Sequence, residues 1–75
     1  MHVLPHHTVE ELRSAIHHQS IGRVRDRIRG VLKGKQGLTA KQGATELDVS
    51  RRAVQDWVRW YNEGRLEVVR DADLA

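Results

Sequence analysis

Residues 38 to 64 read LTAKQGATELDVSRRAVQDWVRWYNEG, and no other stretch of the chain leaves so few ways to fold. Thr39 is a good start for a helix. Its hydroxyl can accept a first-turn amide, and Gln42, three residues on, can bond back to the Thr39 amide, a capping box. Leu38, Leu47 and Val49 bracket that helix and its exit. Ala44 is small, so a second helix can cross close to the backbone there. Ser50 is a good cap for that second helix, and Gly64 a good stop. Only Asp48 and Val49 separate Leu47 from Ser50. A turn this short holds two helices at a steep angle, the geometry of a helix-turn-helix.

The remaining sequence fits an all-α chain of three to four helices. Seventy-five residues make one domain. Residues 1–7 have no helical period, and Pro5 disfavours a helix before it, so they read as a loose tail. Thr8 with Glu11 makes another capping box, which starts a helix at Val9 with Leu12, Ala15 and Ile16 on one face, running to about Gln19. Glu10 and Glu11 suit the positive end of its dipole. Ser20 is the expected cap of the next helix, in which Ile21, Val24, Ile28, Val31 and Leu32 form an apolar stripe. Arg23, Arg25, Arg27 and Arg29 cover its other faces, and Gly34 and Gly37 end it. In the last helix, Arg51 to about Glu63, the inward stripe is Val54, Trp57, Val58 and Tyr61. Trp60 falls off that stripe and is expected at a helix edge, against a segment after Gly64 in which Leu66, Val68 and Val69 fold back. The domain therefore spans 8–70, and 71–75 are expected to fray.

Charge and composition narrow the function. The net charge is only +3, but residues 20–43 carry a local sum of +6 and residues 61–75 a sum of −2. A concentrated basic region suits a polyanion such as a nucleic acid. With no cysteine, disulfides and thiolate metal sites are excluded. No apolar run approaches the roughly 18 residues of a membrane span. The start, MHVLPHH, lacks the basic and long apolar regions of a signal peptide, so a cytoplasmic, nucleoid-associated place is expected. Five histidines are present, but His6, His7, His17 and His18 form adjacent pairs, and helix neighbours point about 100° apart. No carboxylate or cysteine completes a ligand spacing, so no metal and no cofactor is expected. Nothing resembles an oriented nucleophile and base or a phosphate-cradling glycine loop, so no enzyme is expected either.

The pieces TVEELR, RVRDRIRGVL and GLTAKQGATELDVSRRAVQDWVRWYNEGRLEVV, from Thr8 to about Arg70, resemble the amino-terminal region of mariner-like bacterial insertion-sequence transposases. The most specific part is VSRRAVQDWVRWYNEGRLE. That family usually shows a valine and serine at the turn, a tryptophan in the recognition helix, then an aromatic and a glycine-rich exit to leucine. Here these are Val49, Ser50, Trp57, Tyr61, Gly64 and Leu66. The resemblance implies a homeodomain-like bundle that binds DNA, in the family usually the transposon end. Two positions depart from the pattern. Gly43 stands where isoleucine is usual, weakening the helix by roughly 1 kcal/mol relative to alanine. Asp48 stands where a turn glycine is usual, and aspartate tolerates a left-handed backbone. The family's catalytic domain with its acidic triad is missing from these residues, so the chain alone is expected not to cut or join DNA. A stand-alone module, a domesticated remnant and an excised domain all fit.

In a helix-turn-helix the residues near the start of the second helix reach base edges. Ser50, Arg51, Arg52 and Gln55 hold those positions. Arginine has a bidentate fork for guanine, and glutamine pairs similarly with adenine. Arg59 lies two turns on and is expected on a phosphate, as are Thr39, Lys41 and Gln42 at the start of the preceding helix. Lys33 and Lys35 are further phosphate candidates. Asp56 is expected to pair with Arg52 or Arg59, or to accept from a cytosine amine. The leading expectation is a sequence-specific binder of double-stranded DNA without catalysis. A dimeric transcriptional regulator stands beside it, using the first helix, or Trp60 with residues 66–69, as a homodimer face. A protein-interaction adaptor is the third reading.

Overall fold

Helices account for the regular structure of residues 1–71, the part of the chain that the computed structural model describes, and no strand occurs among them. In order they are α1 (Val9–His18), α2 (Gly22–Lys35), α3 (Ala40–Leu47) and α4 (Arg51–Asp71). This is the expected all-α class. Of the end expected to fray, Asp71 closes α4 and residues 72–75 lie outside the described residues.

Local capping chemistry starts α1 as expected. Thr8 Oγ1 accepts the Glu11 amide at 3.1 Å, and the Glu11 carboxylate accepts the Thr8 amide at 2.8 Å. That second bond holds the Glu11 carboxyl below its ordinary range. The start of α2 differs from expectation. Ser20 is not its cap: Ile21 takes that position without a side-chain cap bond, and the Gln19 side chain accepts the Ile21 amide at 3.2 Å. Ile21 therefore leaves the apolar stripe and is 46% exposed. The end of α2 also shifts. Gly34 lies inside the helix, and Gly37, beyond it, turns the chain with φ +97°.

α2 is the central element, packed against α1, α3 and α4. Its Val24, Ile28, Val31 and Leu32 meet Leu12 of α1 and Tyr61, Leu66 and Val69 of α4 in one core. Arg27 belongs to this interior as well, although an arginine in a basic run was expected outside. It is only 8% exposed, its Nη1 donates to the Val69 carbonyl at 3.2 Å, and its guanidinium lies 5.8 Å from the Trp60 ring centre. The buried peptide oxygen and the aromatic face together compensate a charge that would otherwise be costly to desolvate.

α4 breaks where a stop was expected, then resumes. Gly64 (φ −143°) and Arg65 (φ 63°, ψ −158°) depart from helical geometry, and the residues after them return as a further helical segment. That segment buries Leu66 and Val69 on the core but leaves Val68 38% exposed, so the fold-back expected for all three holds for two. Burying a leucine side chain contributes about 1.5–3 kcal/mol. The glycine stands at 64 rather than at the left-handed position because a Cβ at 64 would collide with the Val68 side chain.

Residues 1–7 do not form a loose tail. The Leu4 amide donates to Asn62 Oδ1 at 2.9 Å, and Asn62 Nδ2 donates to the His2 carbonyl at 2.9 Å. Val3 and Met1 lie over α2 at Gly34. The His7 ring and the Tyr61 hydroxyl share a hydrogen bond of 2.8 Å, and the His6 ring lies 5.0 Å from the Tyr61 ring centre. Tyr61 is fully buried beneath these contacts, and burial raises its hydroxyl pKa above the ordinary 10.0.

Two stability measurements follow. Arg65→Gly should raise the melting temperature by relieving about 1 kcal/mol of backbone strain net of glycine's own entropic cost, whereas Gly64→Ala should lower it in the same calorimetric scans. Because Tyr61 titrates higher in the fold than in the open chain, its contribution is complete below pH 10 and fades as pH rises through the folded value. Tyr61→Phe should flatten that alkaline loss in urea melts while costing about 0.5–1.5 kcal/mol at neutral pH through the missing His7 bond.

Candidate nucleic-acid interface

The turn between α3 and α4 is built by short-range bonds. Thr39 Oγ1 accepts the Gln42 amide at 3.1 Å and Gln42 Oε1 accepts the Thr39 amide at 2.9 Å, the expected capping box. Asp48 ends α3 in the left-handed conformation (φ 57°, ψ 47°), as expected where a glycine would be usual. The Val49 amide donates to the Ala44 carbonyl at 3.0 Å, which closes the turn. Ser50 Oγ then accepts the Ala53 amide at 3.1 Å and caps α4. Both caps still carry donors. Each hydroxyl retains its proton and the Gln42 side-chain amide retains its NH2. The first amides of α3, those of Ala40 and Lys41, precede the intrahelical ladder.

Behind this turn α4 presents Arg51, Arg52, Gln55 and Arg59, all exposed, beside exposed Ser50. Residues three and four apart are neighbours on a helix, so 51, 55 and 59 form one row and 52, 56 and 59 the next. Asp56 pairs with both arginines expected for it: its Oδ1 lies 3.8 Å from Arg52 Nε and 3.3 Å from Arg59 Nη2. Thr39, Lys41 and Gln42 are exposed at the start of α3. The two α2 lysines are placed differently. Lys33 Nζ is bonded to Glu46 Oε1 at 3.0 Å, tying α2 to α3, and Lys35 lines a hollow with Pro5, His6, His7 and the first turn of α1.

The inner side of α4 fixes how this surface stands on the bundle. Val54, Val58 and Tyr61 are buried as expected, and Ala44 of α3 is buried with them. Half-buried Trp57 lies over Gly30 of α2, where an added Cβ would stand 2.6 Å from the indole Cε3. The apolar period alone gave no sign of Gly30, because the reason for a glycine there comes from another helix. Half-buried Trp60 sits at the helix edge, packed on the core and on Arg27.

A family model described as a homeodomain-like domain matches residues 22–70, well over half of the chain. The chain belongs to this homeodomain-like family. The match begins where α2 begins and takes in α3 and nearly all of α4, so the helix-turn-helix lies wholly inside it. Homeodomain-like helix-turn-helix domains are typically DNA-binding modules without catalysis of their own. No curated protein and no solved structure matches the chain. No helix among the described residues is long and apolar enough to cross a membrane.

Within this homeodomain-like frame, the seat of α4 on α2 is open to a direct check. Gly30→Ala should displace Trp57 and cost about 1–3 kcal/mol by overpacking, read as a fall in the urea midpoint at unchanged slope.

Proposed function

We propose that this homeodomain-like chain is a non-catalytic, sequence-specific reader of double-stranded DNA. The observation that carries the proposal is the exposed group Ser50, Arg51, Arg52 and Gln55 at the capped start of α4, directly behind a two-residue turn. In this reading α4 enters the major groove, and those four side chains meet base edges. Thr39, Lys41 and Gln42 at the start of α3, together with Arg59, hold phosphates on either side. Lys33 and Lys35 take an outer role: Lys33 reaches a phosphate only by leaving Glu46. The finer proposal is an end-binding module like that of mariner-like transposases, supported by the motif VSRRAVQDWVRWYNEGRLE. A place in the cytoplasm, on the nucleoid, follows from that role.

Selection from a random duplex pool at near-physiological salt tests the proposal. One enriched ungapped motif is the expected result, and its affinity should fall steeply with salt as counterions are released. An inverted repeat with half-sites about 34 Å apart would make the chain a dimeric regulator instead. No enrichment would overturn the reading. On the selected site, Arg52→Ala and Gln55→Ala should each lose about 1–3 kcal/mol of discrimination at one base pair, whereas Lys41→Ala should weaken all duplexes alike.

A further inference from the structure

Asp56 is an unusual residue for the place it occupies. It is the only acid between Arg51 and Asn62, and it lies in the middle of the face proposed to meet a polyanion. A carboxylate there repels phosphate and weakens every DNA complex equally, so charge alone gives no reason for it. Its geometry does. The Asp56 side chain is 25% exposed, while Arg52 is 84% and Arg59 58% exposed, so the carboxylate lies low on the helix with an arginine rising on each side. One oxygen, Oδ1, faces both. Toward Arg52 it meets Nε, the nitrogen on the stem side of the guanidinium. This closest approach, at 3.8 Å, is through Nε and not through the two terminal nitrogens of Arg52, which are the pair that reaches O6 and N7 of a guanine end-on. Toward Arg59 it meets Nη2, a terminal nitrogen, which occupies part of that fork.

We infer that Asp56 is a specificity-determining residue: its carboxylate aims the Arg52 fork at a guanine and holds Arg59 back from base edges, on the phosphate side. This rests on the reading that α4 enters the groove. Two effects follow from one charge. Holding a long, flexible side chain in its bound rotamer lowers the entropy lost when guanine is engaged. Repelling phosphate lowers affinity for every sequence, including those without the guanine. The first raises the ratio of matched to mismatched binding, and the second lowers absolute affinity while leaving that ratio unchanged. An exposed pair is worth up to about 1 kcal/mol, which sets the effect on that ratio at about two- to fivefold.

The test uses the duplex selected by the wild-type chain and three variants of it with the Arg52-dependent guanine pair replaced. Fluorescence anisotropy is read for wild type, Asp56→Asn, Arg52→Ala and the double variant, over a range of salt. Asparagine keeps the shape of Asp56 and only the two ion pairs are lost, so Asp56→Asn should still melt cooperatively, at or slightly below the wild-type temperature. The expected result is that Asp56→Asn binds mismatched duplexes more tightly, with a salt slope steeper by up to about one ion, and loses about two- to fivefold of its guanine preference. In the Arg52→Ala background the same change should leave base preference unaltered. A guanine preference unchanged in Asp56→Asn, or lost equally with and without Arg52, overturns the inference while DNA reading stands. A wild-type chain that enriches no duplex, or one whose base preference ignores Arg52, removes the reading beneath it and the inference with it.

Discussion

The three other helices of this bundle all pack against α2, and the seat of α4 on it is the approach of Trp57 to Gly30. That approach decides how far apart α2 and α4 lie and at what height the outer face of α4 stands. The apolar side chains on either side of it are few. Leu12, Ile28, Val31, Val54, Tyr61 and Val69 are the largest fully buried ones. A chain of this size buries a smaller share of its surface than a larger domain does, so each such contact is a sizeable part of its stability. The core is extended by unusual means: a backbone break that returns Leu66 and Val69 to it, and an arginine turned inward to meet the carbonyl of Val69.

What could be read from the sequence was what depends on near neighbours. The capping boxes at Thr8 and Thr39, the Ser50 cap and the left-handed Asp48 each involve residues at most five apart, and all are present. The helical periods placed Leu12, Ile28, Val54 and Tyr61 inside, and they placed Arg51, Arg52, Gln55 and Arg59 outside. What escaped depends on distant partners. Arg27 meets a carbonyl 42 residues away, and Leu4 meets Asn62 across 58. No local pattern marks either. Ser20 differs for a smaller reason: the helix starts one residue later, with Ile21 in the cap position without a side-chain cap bond and the Gln19 side chain on the Ile21 amide.

The charge pattern needs a similar correction. The basic middle of the sequence suggests a broad cationic surface, but much of it is already engaged within the fold. Arg27 is inside, Arg29 is bonded to Asp26 at 3.2 Å, and Lys33 is bonded to Glu46. The exposed cations that stand together are on α4, and of the basic middle Lys41 on α3 and Arg23 on α2 are also exposed. A narrow charged face of this kind favours a defined register on a duplex over loose attachment along it.

The break at Gly64 and Arg65 has a consequence for how such a helix would meet its target. Between Ser50 and that break, α4 is capped at one end, strapped at Asn62 by the first residues of the chain, and followed by a segment anchored through Arg27. The contacts that hold it are all made within the chain and need no duplex. Association then carries little coupled folding, and its heat-capacity change should reflect the contact area alone. A rigid probe also leaves the adjustment to the nucleic acid. Mismatch between the two surfaces is taken up where a duplex yields most easily, at pyrimidine–purine steps. Preference would then extend to base pairs that no side chain touches, graded by their stiffness.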